Sequence, residues 1–302
     1  MHSVTAVKKE LDKIGVAYLE NALMSAHTTF RIGGPAALYV RPQNREELVA
    51  AARVIQTAEI PITTIGKGSN LLVSDAGYPG AILSTEGVTD IAVVENTVTC
   101  DCGVSVTGAA IAARGSGLSG MEFLYGIPGS AAGAVFMNAG AYGGEIADIL
   151  SSSTYYDMET GAVYELAVAE HSFDYRSSVY RSNVKRIILS ATFVLTPGRD
   201  AEIRNVMDDY MHRRKSKQPL EFPSAGSVFK RYPGRYTGQM IEECGLKGRS
   251  VGGAQVSEKH AGFIINRGGA TAADVLQLIE IIKEAVLHKF GVEIECEMIY
   301  LA

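Results

Sequence analysis

The chain has 302 residues, 47% of them hydrophobic and 20% charged, enough for about two domains with their own cores and too apolar for disorder over most of its length. Against 33 Asp and Glu stand only 28 Lys and Arg, a formal charge of -5, so the protein offers no global attraction to nucleic acid or to an anionic membrane, and an anionic ligand must be held locally. The opening MHSVTAVKKELDKIG lacks the unbroken apolar run of a signal peptide or membrane span, and four cysteines are too few for a disulfide scaffold, so a reducing cytoplasm is expected. Cys100 and Cys102 are spaced too tightly for zinc and have no second Cys or His pair nearby; no metal is expected.

In chain order, Val4, Val7, Leu11 and Ile14 predict a short amphipathic helix, followed by turn-rich, strand-like text from His27 to Pro42. A helix over 44–58 with Asn44 as N-cap, a buried strand over 61–66 and another at 81–84 make a β-α-β opening. Residues 91–94 and 98–102 read as a hairpin about Glu95 and Asn96, and 104–114 as an Ala-rich helix stopped by Gly115. A second hairpin, 152–158 and 162–167, precedes a strand at 186–195. Ile203, Val206, Met207, Tyr210 and Met211 share one helical face, and the change of character near 200 predicts two domains, 1–199 and 200–302. The second is expected to contain a short helix near Met240–Cys244, strands at 254–256 and 262–266, a long helix over 272–290 ended by Gly291, and a last strand over 292–301.

The 32 glycines are bunched, and backbone without Cβ can approach a phosphate or a flat ring. The run Gly115 to Gly120 matches G-x-G-x-x-G in letters, but it follows a predicted helix instead of opening one, and a helix C-terminus repels phosphate. More persuasive are Gly66, Lys67, Gly68, Ser69, Asn70 and Leu71, directly after a predicted strand, where backbone N–H groups can form an anion nest with Ser69, Asn70 and Lys67 as further donors. Standing alone this would be a plain glycine turn. A second run of small residues extends from Gly126 to Gly144: Ile127, Pro128, Gly129 and Ser130 open a helix through Gly133, Ala134 and Asn138, and Gly140, Ala141, Tyr142 and Gly143 then break it. Two such stretches point to one elongated, phosphate-bearing cofactor.

Together with Thr29-Phe30-Arg31-Ile32-Gly33-Gly34-Pro35, these two runs resemble the UDP-N-acetylenolpyruvoylglucosamine reductase family, flavoenzymes of peptidoglycan precursor synthesis. The likeness continues, in order, through the segment Phe173 to Tyr180, Lys217-Gln218-Pro219, the segment Ser224 to Lys230, and the stretch Gly291 to Glu297. It implies an α+β architecture: an FAD-binding fold of the vanillyl-alcohol-oxidase-like type and a C-terminal α+β substrate-binding domain. The short spacing from Pro219 to Ser224 resembles the form of the family that lacks an extra substrate-covering tyrosine loop. Noncovalent FAD, NADPH as hydride donor and a UDP-sugar enolpyruvyl ether as substrate follow from the resemblance, in a monomer or weak homo-oligomer.

Hydride addition to the terminal enolpyruvyl carbon leaves charge on the adjacent carbon and carboxylate, so the site must stabilise an enolate and then supply a proton. Arg176 matches the family's carboxylate-binding guanidinium, and Ser227 its proton donor. Glu297 is singled out by the match and by alternation: Glu293, Glu295, Glu297, Ile299 and Leu301 share a strand face that turns apolar after Glu297, where a raised pKa is expected. In the basic run 212–217, Lys217 matches a substrate-contacting lysine and Arg213 and Arg214 are weaker candidates; Tyr175, Arg231, Gln255 and His260 are candidate lining residues. The competing readings are an oxidase or dehydrogenase of the same flavin superfamily, which would need a base in place of a carboxylate clamp and proton donor, and a non-catalytic nucleotide-binding module.

Overall fold

The computed structural model describes residues 3–302. They form two compact units of discontinuous chain: one takes the chain through Glu20, Leu38–Lys67 and Gly80–Arg213, and the other takes Asn21–Ala37, Gly68–Pro79 and Arg214–Ala302. This differs from the single division expected between residues 199 and 200. The helix Asp200–Lys217 buries Ile203 and Met207 in the core of the first unit, while Phe30, Ile32 and Leu72, from early in the chain, belong to the core of the second.

In the first unit the helix Val4–Ile14 starts on Ser3, whose hydroxyl accepts the Ala6 amide, and stops at Gly15, which adopts the left-handed φ of 71°. Its buried Val7 and Leu11 pack with Leu48, Ala51 and Ile55 of the helix Arg45–Thr57, which Asn44 caps through the Glu47 amide. The strand Ile62–Ile65 then pairs in parallel with the end of Tyr78–Ser84, Ile65 opposite Ser84. A five-stranded sheet follows, in the order Ala162–Ala167, Leu150–Asp157, Arg186–Val194, Thr97–Asp101, Ile91–Val94. The helices Val106–Gly115 and Ala131–Phe136 contribute Ala109, Ala113 and Val135 to a core shared with Val98, Cys100 and Phe193 of that sheet. The helix expected to stop at Gly115 includes it, and Gly117 takes the left-handed turn with φ 69°.

Cys100 and Cys102 are both buried, in different core clusters, and burial pushes each thiol up to about 12. Among the described residues, no group of three or more His, Cys, Asp or Glu is arranged to hold a metal, and no helix is long and apolar enough to cross a membrane.

In the second unit the strands Ser224–Ser227, Phe263–Asn266, Ala254–Val256 and Ser250–Val251 form an antiparallel sheet in that order. The helix Ala272–Phe290 buries Val275, Leu278, Ile279, Ile282 and Val286 in the core that holds Ala225, Val228 and Ile264. A capping box of Thr271 and Asp274 opens this helix, Asp75 accepts the Ala272 and Ala273 amides at 2.8 and 3.0 Å, and Gly291 closes it with φ 68°. The regular strand at the end of the chain is only Ile299–Leu301, paired in parallel with Leu71–Val73. The expected longer strand is divided because the stretch before it meets a different partner, with Glu297 N donating to Val228 O and Lys230 N to Glu295 O around a Phe229–Cys296 bridge.

Candidate active site

The first unit brings the leading part of one glycine stretch against the other. Gly66 follows the strand Ile62–Ile65, and a Cβ there would lie 2.1 Å from the Ser130 hydroxyl, so only bare backbone fits between the loops. Ser130 caps the helix Ala131–Phe136 through the Gly133 amide. The other opening donors are spent inside the protein: Ala131 N on Val104 O and Ala132 N on Cys102 O. The helix N-terminus expected to face a phosphate is therefore largely self-satisfied. Lys67 stands 3.5 Å from Glu86, which moderates its charge.

At the far end of the second stretch, Gly140–Ala141 and Gly144–Glu145 form a small hairpin turned by Tyr142 and Gly143, with φ 56° and 95°. Tyr142 stacks on Tyr210 with ring centroids 4.3 Å apart and donates its hydroxyl hydrogen to Tyr210 O. Asn138, expected to touch the cofactor, is buried with its side chain committed internally: Nδ2 donates to Asp174 O at 3.2 Å, and Oδ1 accepts the Ala147 amide at 3.0 Å. Its positive φ of 42° suits an asparagine.

Arg176 occupies the tip of a tight turn closed by reciprocal bonds between Asp174 and Ser177, in the left-handed region at φ 53°. Its guanidinium donates to Asn138 O and Gly140 O at 3.4 and 3.0 Å and lies over the Tyr175 ring, 5.0 Å from its centroid. The glycine run thus orients the arginine side chain. The base of the Arg176 loop is pinned by Val179 N to His171 O and by a fully internal network. Because a carbonyl can only accept, His171 Nδ1 donates to Ala167 O; Nε2 then accepts from Ser153 Oγ at 2.7 Å, and Ser153 Oγ accepts from the Tyr180 hydroxyl at 2.6 Å. Burial lowers the His171 pKa below its ordinary 6.5, in keeping with this neutral tautomer.

The second unit brings together Ser227, Glu297 and the rest of the first glycine loop. Gly226, with φ 74°, interrupts the pairing of Ser224–Ser227 with Phe263–Asn266, and the Ser227 hydroxyl is half-buried at 3.3 Å from Phe229 O. The Glu297 amide donates to Val228 O at 2.8 Å, which sets Ser227 and Glu297 on adjoining chain segments, and the Asn70 side-chain amide donates to Glu297 O at 3.3 Å. Glu293 and Glu295 are exposed while Glu297 is half-buried, the thinning of water that alternation predicted. Gly262 lies between Ser227 and His260: a Cβ on it would fall 3.4 Å from the Ser227 hydroxyl and 2.9 Å from the imidazole. Gly68 (φ 59°) is buried against the His27 carbonyl, 2.4 Å from where a Cβ would stand.

Other expected lining residues are placed less favourably. Lys217 and Arg213 are exposed, Arg213 is 2.8 Å from Asp209, and of the run it is Arg214, the other weaker candidate, that is buried, its guanidinium reaching Gln218. Gln255 spends its amide on Gly248 O and Ser250 Oγ in its own hairpin, and Arg231 lies over the Tyr236 ring. In the first unit the bare backbone at Gly66 and Gly140, and in the second unit that at Gly68, occupies places where a Cβ would clash, and backbone of this kind suits the close approach of a flat, diphosphate-bearing cofactor.

Comparison with known proteins agrees with this architecture. The family described as FAD binding domain matches residues 36–167, and the C-terminal domain of UDP-N-acetylenolpyruvoylglucosamine reductase matches 218–301. The enzyme of that name from Clostridium novyi is 44% identical over 92% of this chain and 90% of its own length, and the one from Caldanaerobacter subterraneus is 44% identical over 96% and 95%. The solved structure of the UDP-N-acetylenolpyruvylglucosamine reductase from Thermus caldophilus is 32% identical, with a TM-score of 0.79 over 95% of this chain and 99% of that one.

Proposed function

The chain belongs to the UDP-N-acetylenolpyruvoylglucosamine reductase family, and on that premise we propose that Arg176, Ser227 and Glu297 carry out the reduction of a UDP-N-acetylglucosamine enolpyruvyl ether to UDP-N-acetylmuramate in peptidoglycan precursor synthesis. FAD, when bound, supplies the two-electron chemistry between NADPH and the enolpyruvyl double bond. Gly66 and Lys67, with Gly68 to Leu71, and the stretch from Ile127 to Gly143, apart from the internally bonded Asn138 side chain, would hold it.

As hydride reaches the terminal carbon, the electron pair of the double bond moves to the neighbouring carbon and into its carboxylate. Arg176, already oriented by Asn138 O and Gly140 O, offers its planar fork to that carboxylate, where charge grows most in the transition state. Ser227 Oγ–H then delivers the proton that completes the saturated ether. Serine is a poor acid in water, so the transfer depends on a strongly basic acceptor and on Glu297, held on the adjoining segment, to share the proton. The observation that carries this assignment is the main-chain pairing of Val228 with Glu297 beside Asn70 of the glycine loop. Lys217, Tyr175 and Arg231 remain proposed contacts of the nucleotide, with smaller roles for Arg213 and Gln255. The same reading places the protein in the cytoplasm as a monomer or weak homo-oligomer without nucleic-acid or membrane partners.

The test is to purify the protein, record its flavin absorbance and follow NADPH oxidation with and without the enolpyruvyl nucleotide. A yellow protein whose NADPH consumption requires the nucleotide is expected. A colourless protein that FAD cannot reconstitute overturns the reading, and flavin reduction indifferent to the nucleotide favours a different oxidoreductase.

A further inference from the structure

The segment Thr29 to Pro35 is a sequence signature to which the reaction itself gives no task. In the second unit each of its positions has a distinct physical setting. Phe30 and Ile32 are completely or almost completely buried in the core beside Leu72, Ala225 and Val228. Arg31 is exposed at a positive φ of 54°, which aims both flanking side chains inward, and a Cβ on Gly33 or Gly34 would strike Val73 or the Asp75 carbonyl. Asn266, itself buried, donates to the carbonyls of Phe30 and Arg31 and fixes the turn against the sheet.

Thr29 is the position that reaches both ways. Its amide donates to Gly68 O at 3.3 Å, and its hydroxyl donates to Ser224 O at 2.7 Å, across 195 residues of sequence. Gly68 belongs to the cofactor loop, and Ser224 begins the four-residue strand that ends in Ser227. That strand needs an outside hold: its pairing with Phe263–Asn266 is interrupted between Ser224 and Ser227, where Gly226 turns at φ 74°. We propose that Thr29 is a positioning residue that ties the Gly68 loop to the Ser227 strand, so that a dinucleotide seated on the loop also fixes the register of the proton donor. The inference rests on the assignment of Gly68 to the FAD cradle and of Ser227 to proton donation.

Hydrogen exchange of the FAD-loaded protein against the FAD-free protein tests the coupling without turnover. In the natural chain, FAD should slow amide exchange both over 68–72 and over 224–230. Thr29→Val keeps the branched shape and the backbone donor and removes only the hydroxyl bond; it should retain protection over 68–72 and lose it over 224–230, while Thr29→Ser restores both. In anaerobic half-reactions, Thr29→Val should leave flavin reduction by NADPH within about twofold and slow reoxidation by the enolpyruvyl nucleotide about tenfold, roughly what one hydrogen bond can control. Equal protection of 224–230 in Thr29→Val and the natural chain, or failure of Thr29→Ser to restore it, would overturn the proposal. If the natural chain shows the coupled protection but no nucleotide-dependent reoxidation, the reductase reading fails and the coupling stands.

Discussion

Arg176 and Ser227 are held in opposite ways. Arg176 stands at the tip of a tight turn in the first unit and owes its direction to side-chain bonds with the carbonyls of Asn138 and Gly140. Ser227 ends a strand in the second unit, and main-chain bonds from Val228 to Gly262 and from Glu297 to Val228 set its place. A side chain directed by other groups on a loop is as well placed as those groups, whereas one directed by its own backbone shifts only when the bonds that hold that backbone, such as Thr29 Oγ1 to Ser224 O, are broken. The first arrangement should therefore be sensitive to residues that never touch the substrate.

The largest effect expected from breaking this comparison lies in the backbone itself. Gly68 faces the His27 backbone carbonyl at positive φ, while Gly66, at an ordinary φ, faces the Ser130 side chain, whose hydroxyl at least can turn aside at the cost of its bond to the Gly133 amide. Gly68→Ala should weaken FAD binding by about 3 kcal/mol or more and Gly66→Ala by clearly less, as read by flavin titration. Next is Asn138→Ala, which strands the Asp174 carbonyl and the Ala147 amide. It should cost about 2–3 kcal/mol in urea unfolding and raise the KM for the enolpyruvyl nucleotide while leaving flavin reduction by NADPH unchanged. Arg176→Lys keeps the charge but loses the fork, and about 1–2 kcal/mol of kcat/KM should go with it.

The smallest effect expected is a pH dependence. Burial lowers the pKa of His171 in the first unit and of His260 in the second below 6.5. Between the lowered folded value and 6.5 the unfolded imidazole binds more protons than the folded one, so stability rises with pH, is fully present above about 6.5 and is lost as pH falls below it. Protonation of His171 also sacrifices the acceptor that Ser153 uses, and His171→Gln should flatten the acid side of the curve in urea midpoints measured at about pH 5.5 and 7.5. An unchanged slope in that variant would remove His171 from the account.

Much of the architecture was legible in the sequence because local rules decide it. Asn44 and Gly291 cap the helices they were expected to bound, and the turn at Glu95 and Asn96 closes its hairpin. The division into units was not legible, since it depends on segments such as 21–37 and 68–79 finding partners late in the chain, as Thr29 finds Ser224. The last strand illustrates the same limit. Its alternation correctly set Glu297 apart from Glu293 and Glu295, but periodicity cannot reveal that residues 295–297 pair with one segment and 299–301 with another. At Asn138 the residue type gave no hint that the amide faces Asp174 and Ala147 instead of a ligand.

The division of labour between guanidinium and hydroxyl is tested most directly by Ser227→Ala in the two anaerobic half-reactions. Flavin reduction by NADPH should proceed at close to the natural rate, while reoxidation by the enolpyruvyl nucleotide should slow by about 3 kcal/mol of barrier, more than a hundredfold. Equal slowing of both half-reactions, or an unaffected reoxidation, would contradict proton donation by this residue.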